Sequence, residues 1–198
     1  MTTTTYYSYI DCPLGRMLVQ GDGQFVTGLY MPEHKGWPGP DASWQQSDAP
    51  FTAVRVQLGE YFAGNRRQFD VPVKLAGTPF QLRVWQELVR IPFGTTITYG
   101  QLAQRVGKPT GSRAVGHANG RNPISILVPC HRVIGSDGKL TGYAGGVENK
   151  RSLLEWERGA TAAQAGFVPT SQACGPGTPS DAHQAEHSSR MRRTASAW

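Results

Sequence analysis

The spacing of apolar residues changes along this chain, and that change limits the folds open to it more than any other feature. Up to Met31 the apolar residues come in short runs rich in aromatic and β-branched side chains: Tyr6–Ile10, Arg16–Gln20 and Phe25–Met31. Pro13-Leu14-Gly15 and Gly21-Asp22-Gly23 separate them as turns, so the pattern predicts a small antiparallel sheet. A polar stretch from Pro32 to Pro50 reads as a long loop. From Phe51 the spacing turns helical: Val54, Leu58, Tyr61 and Phe62 share one face, which Gly64-Asn65 ends. Val71-Pro72-Val73 is a short extended piece leading through Gly77-Thr78-Pro79 into a mainly helical region. There, Phe80, Val84, Leu88 and Ile91 form one stripe, stopped by Pro92 and Gly94.

The following helices are short. Thr98 is placed to N-cap a helix carrying Leu102, Ala103 and Val106, closed by Gly107 and Pro109. Thr110-Gly111 opens another, holding Arg113, Ala114, Val115 and Ala118, and the pair is a helix-turn-helix candidate. Ile124–Val128 reads as a buried strand or extended segment delivering the chain to Pro129-Cys130-His131-Arg132-Val133. A glycine-rich loop from Gly135 to Gly146 precedes a last helix, predicted over 147–158, with Val147, Leu153, Leu154 and Trp156 apolar. Beyond Gly159 the composition shifts to Ala, Ser, Thr, Gly, Pro and Gln, and the tail reads as disordered. The expected fold class is α/β of the α+β kind. A domain over 1–79 carries the antiparallel sheet and one helix, a mainly helical domain spans 80–159, and a tail covers 160–198.

Charge separates these regions. Residues 1–79 hold six basic and seven acidic side chains, whereas 80–159 hold eleven basic and five acidic. The positive excess of the chain therefore falls in one stretch, read either as a phosphate-binding face or as a solvated basic surface. No apolar run approaches the roughly 20 residues that cross a bilayer, so no membrane partner is expected. Met1-Thr2-Thr3-Thr4-Thr5 lacks the features of a signal peptide, and the expected compartment is the cytoplasm. Cys12, Cys130 and Cys174 are widely spaced, form no CxxC pair and have no metal-ligand spacing with histidine, so neither a disulfide nor a metal is expected.

Cys130 is the candidate nucleophile. A reactive cysteine needs its thiolate, which a nearby base or cation supplies. His131 is too close in sequence to bond the sulfur directly, but it can act through a water, and a carboxylate behind it would raise its basicity and fix its tautomer. Glu155 and Glu157 both lie on the last helix, and physical argument from the sequence does not choose between them.

Several segments together resemble one family, the O6-alkylguanine-DNA alkyltransferases, or methylated-DNA–protein-cysteine methyltransferases. They are Thr98-Tyr99-Gly100, Arg113-Ala114-Val115-Gly116, Asn122-Pro123, Pro129-Cys130-His131-Arg132-Val133 and Gly142-Tyr143-Ala144-Gly145-Gly146. The match runs in order from about Phe80 to Glu157 with spacings kept. Pro13-Leu14-Gly15 is similar to the family's first β-turn, and residues after Gly159 have no counterpart.

The resemblance implies that Cys130 accepts the alkyl group of O6-alkylguanine, and leaves open whether O4-alkylthymine is also a substrate. It implies that His131 deprotonates Cys130 through water, with Glu157 behind it. Tyr99 would donate to the departing base, and Asn122 would brace the turn before the cysteine. Because the target atom is inaccessible in a stacked duplex, the nucleotide would be flipped out. Arg113 would fill its place while the second helix docks in the minor groove. Ala114 and Gly116 (with Ala118) would allow close approach to the DNA, to which Tyr99 and Ser136 would also contribute. Val133, Tyr143 and Ala144 would line the base pocket.

The implied partner is double-stranded DNA containing O6-alkylguanine, and the implied state is a monomer. No cofactor is implied: the thioether product resists hydrolysis, so each molecule would act once. The family's zinc-cysteine phosphotriester domain has no counterpart here, which argues against transcriptional activation. A lesion-binding protein without transferase activity would lack Cys130. A cysteine hydrolase leaves the helix-turn-helix and the basic bias unexplained, and a plain helix-turn-helix regulator leaves the Cys-His pair without purpose. Cys12, placed in a turn, reads as structural.

Overall fold

The computed structural model describes residues 4–32, 34 and 39–164. Strands β1 (Tyr6–Cys12) and β2 (Gly15–Gly21) form an antiparallel hairpin in which Cys12 faces Gly15 across the Pro13-Leu14 turn. Gly15 supplies the left-handed backbone that this turn needs, at φ +105°. Strand β3 (Val26–Tyr30) pairs with β2, with a register shift at Gln20/Gly21. Strand β4 (Gln45–Gln46) lies parallel to β1, giving the order β3-β2-β1-β4. The three longer strands follow the expected pattern. The loop expected over 32–50 instead contains β4 and leads into a 3₁₀ turn at Ala49–Phe51. Cys12 ends β1 rather than sitting in the turn, and its thiol donates to the Gly15 carbonyl at 3.1 Å.

Helix α1 (Thr52–Phe62) buries Val54, Leu58 and Tyr61 and ends at Gly64, φ +80°. Helix α2 (Pro79–Val89) begins with a capping box between Thr78 and Gln81 and buries Val84, Trp85 and Leu88. A two-residue strand β5 (Ile97–Thr98) then runs into α3 (Tyr99–Arg105), whose N-cap is Thr98, as expected. Gly107, φ +72°, turns the chain toward α4 (Ser112–Gly120), so the helix-turn-helix is present. Trp85 ties α2 to α4 by donating from its indole to the Ala118 carbonyl at 2.9 Å.

Strand β6 (Val133–Ile134) pairs parallel with β5, a contact that two residues on either side could not announce in sequence. Helix α5 spans Val147–Gln164, six residues beyond the expected end. The tail reading thus fails at 160–164. Ala-rich sequence favours helix there, and Thr161 packs against the Gly94 turn, where an added Cβ would lie 2.5 Å from its hydroxyl. Cys174 lies outside the described residues.

One hydrophobic cluster runs through both halves, from Ile10, Met17 and Leu29 to Trp85, Leu102, Val128 and Leu153. Strand β3 joins the halves through its backbone. Leu29 donates to the Pro123 carbonyl at 2.8 Å and accepts from the Ser125 amide at 2.8 Å. The segment just before Cys130 is thereby fastened to the N-terminal sheet.

Candidate active site

That segment is neither the strand nor the extended piece expected over 124–128. Ile124 makes a single bridge to Leu29, and the chain then turns back on itself, with Ile126 at φ +68°. The cause is Asn122. Its side-chain amide donates to the carbonyls of Val128 (2.8 Å) and Ile124 (3.2 Å), while its oxygen accepts from the Ile124 amide at 3.1 Å. A buried side chain thus supplies hydrogen bonds that a strand partner would otherwise make.

The same amide reaches the Cys130 sulfur at 3.0 Å. Cys130 opens a 3₁₀ turn over Cys130–Arg132 and is only 4 % exposed. Asn119, from the end of α4, donates to the Cys130 carbonyl at 3.3 Å. Burial pushes the Cys130 thiol above its usual range, opposed by the Asn122 hydrogen bond and the Lys150 charge. The resting sulfur is therefore a thiol needing a base rather than a standing thiolate.

His131 and Glu157 are both 0 % exposed. His131 Nε2 lies 2.9 Å from Glu157 Oε1, which settles the choice between the two glutamates, since Glu155 is exposed. Arg132 grips the same carboxylate from Nε at 3.0 Å to Oε2 and from Nη2 at 2.8 Å to Oε1, and its Nη1 donates to the Ile91 carbonyl. The Tyr61 hydroxyl (2.8 Å) and the Gly94 amide (2.9 Å) complete the shell. Burial opposes the Glu157 charge, but the hydrogen bonds and charges of His131 and Arg132 outweigh it and hold this carboxyl well below the usual range. Burial pushes His131 below its usual value against the pull of Glu157, and the charges of Arg132 and Lys150 push the same way. An ionised Glu157 accepts from the Nε2 proton and leaves Nδ1 as the basic nitrogen. Nδ1 is buried without a protein partner among the described residues.

Tyr99 begins α3, and its hydroxyl donates to the Thr141 carbonyl at 3.0 Å. Lys150 donates to the same carbonyl at 3.0 Å and is itself 0 % exposed. Burial pushes the Lys150 ammonium down to about 8, opposed by the charge of Cys130. Tyr143 is buried. Val133, on β6, is buried too.

A cleft of about 380 Å³ opens between α4 and the glycine-rich loop, lined by Gly116, His117, Arg121, Tyr143, Ala144 and Val147 among others. Gly116 leaves room beside the Tyr99 ring: a Cβ there would sit 3.6 Å from it. Arg113 and Ala114 are exposed on α4, and Ser136 is exposed in the loop after β6, whereas Ala118 faces the core. Asn122 is thus bonded to the Cys130 sulfur and Glu157 to the adjacent His131, with Arg113 and Ser136 remaining on the surface.

Tyr61 and Arg132, bonded to Glu157, Asn119, bonded to the Cys130 carbonyl, and Lys150, bonded to the same carbonyl as Tyr99, were assigned no roles from the sequence. Lys150 had a positional signal, since it stands three, four and seven residues before Leu153, Leu154 and Glu157, on the buried face of α5. Among the described residues no group of three or more His, Cys, Asp or Glu could hold a metal ion.

Comparison with known proteins gives this geometry a lineage. The model of the 6-O-methylguanine DNA methyltransferase DNA-binding domain matches residues 79–159, and that of the ribonuclease-like domain of the same proteins matches 5–75. A methylated-DNA–protein-cysteine methyltransferase of Mycobacterium bovis is 48 % identical over 153 residues, covering 77 % of this chain and 92 % of the relative. One from Methanosarcina acetivorans is 47 % identical over 153 residues, covering 77 % and 97 %. The crystal structure of Mycobacterium tuberculosis OGT in complex with DNA superposes with a TM-score of 0.74 at 47 % identity, covering 78 % of this chain and 94 % of that one. With both domains matched in order, and a buried cysteine followed directly by a histidine bonded to a buried glutamate, the chain belongs to the 6-O-methylguanine DNA methyltransferase family.

Proposed function

We propose that this methylated-DNA–protein-cysteine methyltransferase repairs O6-alkylguanine in double-stranded DNA by moving the alkyl group onto Cys130, once per molecule. The observation that carries the reading is the His131–Glu157 pair, fully buried, with an unpartnered Nδ1 on the residue next to a buried thiol. His131 takes the Cys130 proton through a water at Nδ1, and Glu157 holds the tautomer. The sulfur then attacks the alkyl carbon, the carbon–oxygen bond breaks, and the electron pair leaves with the guanine. Tyr99 leaves the Thr141 carbonyl to donate to the departing base as its charge grows. Asn122 holds the sulfur in place throughout.

The lesion reaches this buried thiol by flipping into the cleft beside α4, where Val133, Tyr143 and Ala144 stand near the base. Helix α4 enters the minor groove as the second helix of its pair, with Ala114 and Gly116 toward the DNA, Arg113 in the vacated stack and Ser136 on the backbone. The protein works as a monomer in the cytoplasm. The thioether product has no route of hydrolysis, which is why turnover stops at one.

The test is intact mass after mixing with a duplex containing O6-methylguanine. A gain of about 14 Da mapping to Cys130 is expected, stopping at one per molecule and absent in Cys130→Ala. Lesion binding with no mass gain would overturn the transfer.

A further inference from the structure

We propose that Tyr61, contributed by the N-terminal half, is a positioning residue of the alkyl transfer: through Glu157 it sets how tightly His131 holds a proton. This rests on the reading of His131 as the base. Glu157 Oε1 is the crowded atom of the site. It accepts from Tyr61 at 2.8 Å, His131 at 2.9 Å and Arg132 Nη2 at 2.8 Å, while Oε2 accepts from Gly94 and Arg132 Nε. A carboxylate oxygen that already receives donors is a weaker acceptor for the next one. The Tyr61 hydroxyl therefore draws electron density that would otherwise strengthen the hold of Glu157 on a protonated His131. Glu157 still orients the imidazole, but the proton remains free to move on.

The placement of Tyr61 suits this role. It is 0 % exposed, and its ring is caged by Phe62, Phe69 and Phe93 at centroid distances of 5.0, 5.5 and 5.8 Å. Filling that cage takes a phenyl ring, and a phenylalanine would satisfy it. The hydroxyl instead brings a polar group into an apolar enclosure, at a cost met by its bond to a charged acceptor. Burial and the negative charge of Glu157 hold the phenol far above its usual range, so it stays a neutral donor at every working pH. The other groups bearing on Tyr61, Glu157 and His131 are Arg132 beside them, Lys150 from α5, Tyr143 from the glycine-rich loop and the Gly94 amide after α2.

The test uses the full chain and four forms: wild type, Tyr61→Phe, Glu157→Gln and the double variant. Single-turnover methyl transfer to an O6-methylguanine duplex is followed against pH. Tyr61→Phe is expected to move the acidic limb upward by about half a unit, slowing transfer about three-fold on that limb. In the Glu157→Gln background the same change is expected to move it no further, because the effect travels through the carboxylate. A limb unmoved by Tyr61→Phe, or moved equally in both backgrounds, would overturn the proposal. The imidazole titration of His131, read by nuclear magnetic resonance without DNA and assigned with His131→Asn, separates the two readings. An absence of methyl transfer in the wild type removes the repair reading, while an upward shift of this titration in Tyr61→Phe still upholds the coupling and an unchanged titration rejects it.

Discussion

At the scale of single residues, the site places one buried cation, Lys150, where it bears on a buried thiol. Burial raises the Cys130 thiol, and the Lys150 charge is among the groups that lower it again. Burial in turn pushes Lys150 down to about 8. Replacing Lys150 with Met keeps the length of the side chain and removes the charge. The thiol should then rise further, read from the thiolate absorbance against pH, and transfer near neutrality should slow several-fold. The wild type should lose the same help as pH rises through about 8, because Lys150 itself discharges there. Cys130 and His131 were legible in the sequence because they sit together in Pro129–Val133, a segment whose order and spacing with the other matching segments point to one family. Lys150 and Tyr61 were not, because a lysine or tyrosine acquires such a role only from what the fold sets beside it. Tyr61 lies 96 positions from the glutamate it touches.

At the scale of elements, local signals carried furthest. Thr98 and Gly107 bound α3 as a cap and a left-handed stop should, since both act within a turn of the helix. The β5–β6 pair and the parallel strand β4 escaped because pairing is decided by distant segments and two-residue strands have no period to read. The segment 124–128 was misjudged for a physical reason: apolar content announces burial, not conformation. Ile126 there combines a β-branched side chain, 1 % exposed, with φ +68°.

Two terms compete in a substitution at Ile126. Left-handed backbone costs a non-glycine residue about 1–2 kcal/mol, while truncating a buried isoleucine costs about 2–5 kcal/mol. Packing wins, so both Ile126→Ala and Ile126→Gly should destabilise in denaturant unfolding. Their order is diagnostic. Elsewhere glycine is worse than alanine by roughly 0.5–1 kcal/mol, but here Ile126→Gly should equal or exceed Ile126→Ala in stability because it alone releases the strain. A glycine variant clearly less stable than the alanine variant would show that no strain is stored at this turn.

At the scale of the whole molecule, the reactive network is also a tie between the two halves of the chain. Tyr61 on α1 meets Glu157 on α5, Trp156 donates to the Tyr61 carbonyl, and β3 is bonded to the segment before Cys130. The charges that serve chemistry therefore enter the stability of the whole fold, and their signs can be worked out. His131 is held below its ordinary 6.5, so the unfolded chain binds a proton more readily than the folded one, and stability falls as pH drops below that value. Glu157 is held below its ordinary 4.5, so its contribution is fully present above that pH and is lost as pH falls toward the lowered folded value.

Both groups act in the same direction, so the protein weakens in two overlapping steps on acidification. Glu157→Gln removes the second step and leaves Arg132, 4 % exposed, as a buried charge without its carboxylate. At about pH 7 this variant should be less stable by about 3–5 kcal/mol in denaturant unfolding. The gap should narrow as the pH is taken below about 4.5, because Glu157 of the unfolded wild type then takes up a proton that the folded carboxylate refuses. A gap that stays constant down to about pH 3 would mean that the charge of Glu157 is not what joins the halves, and that its hydrogen bonds, which glutamine keeps in part, carry the tie instead.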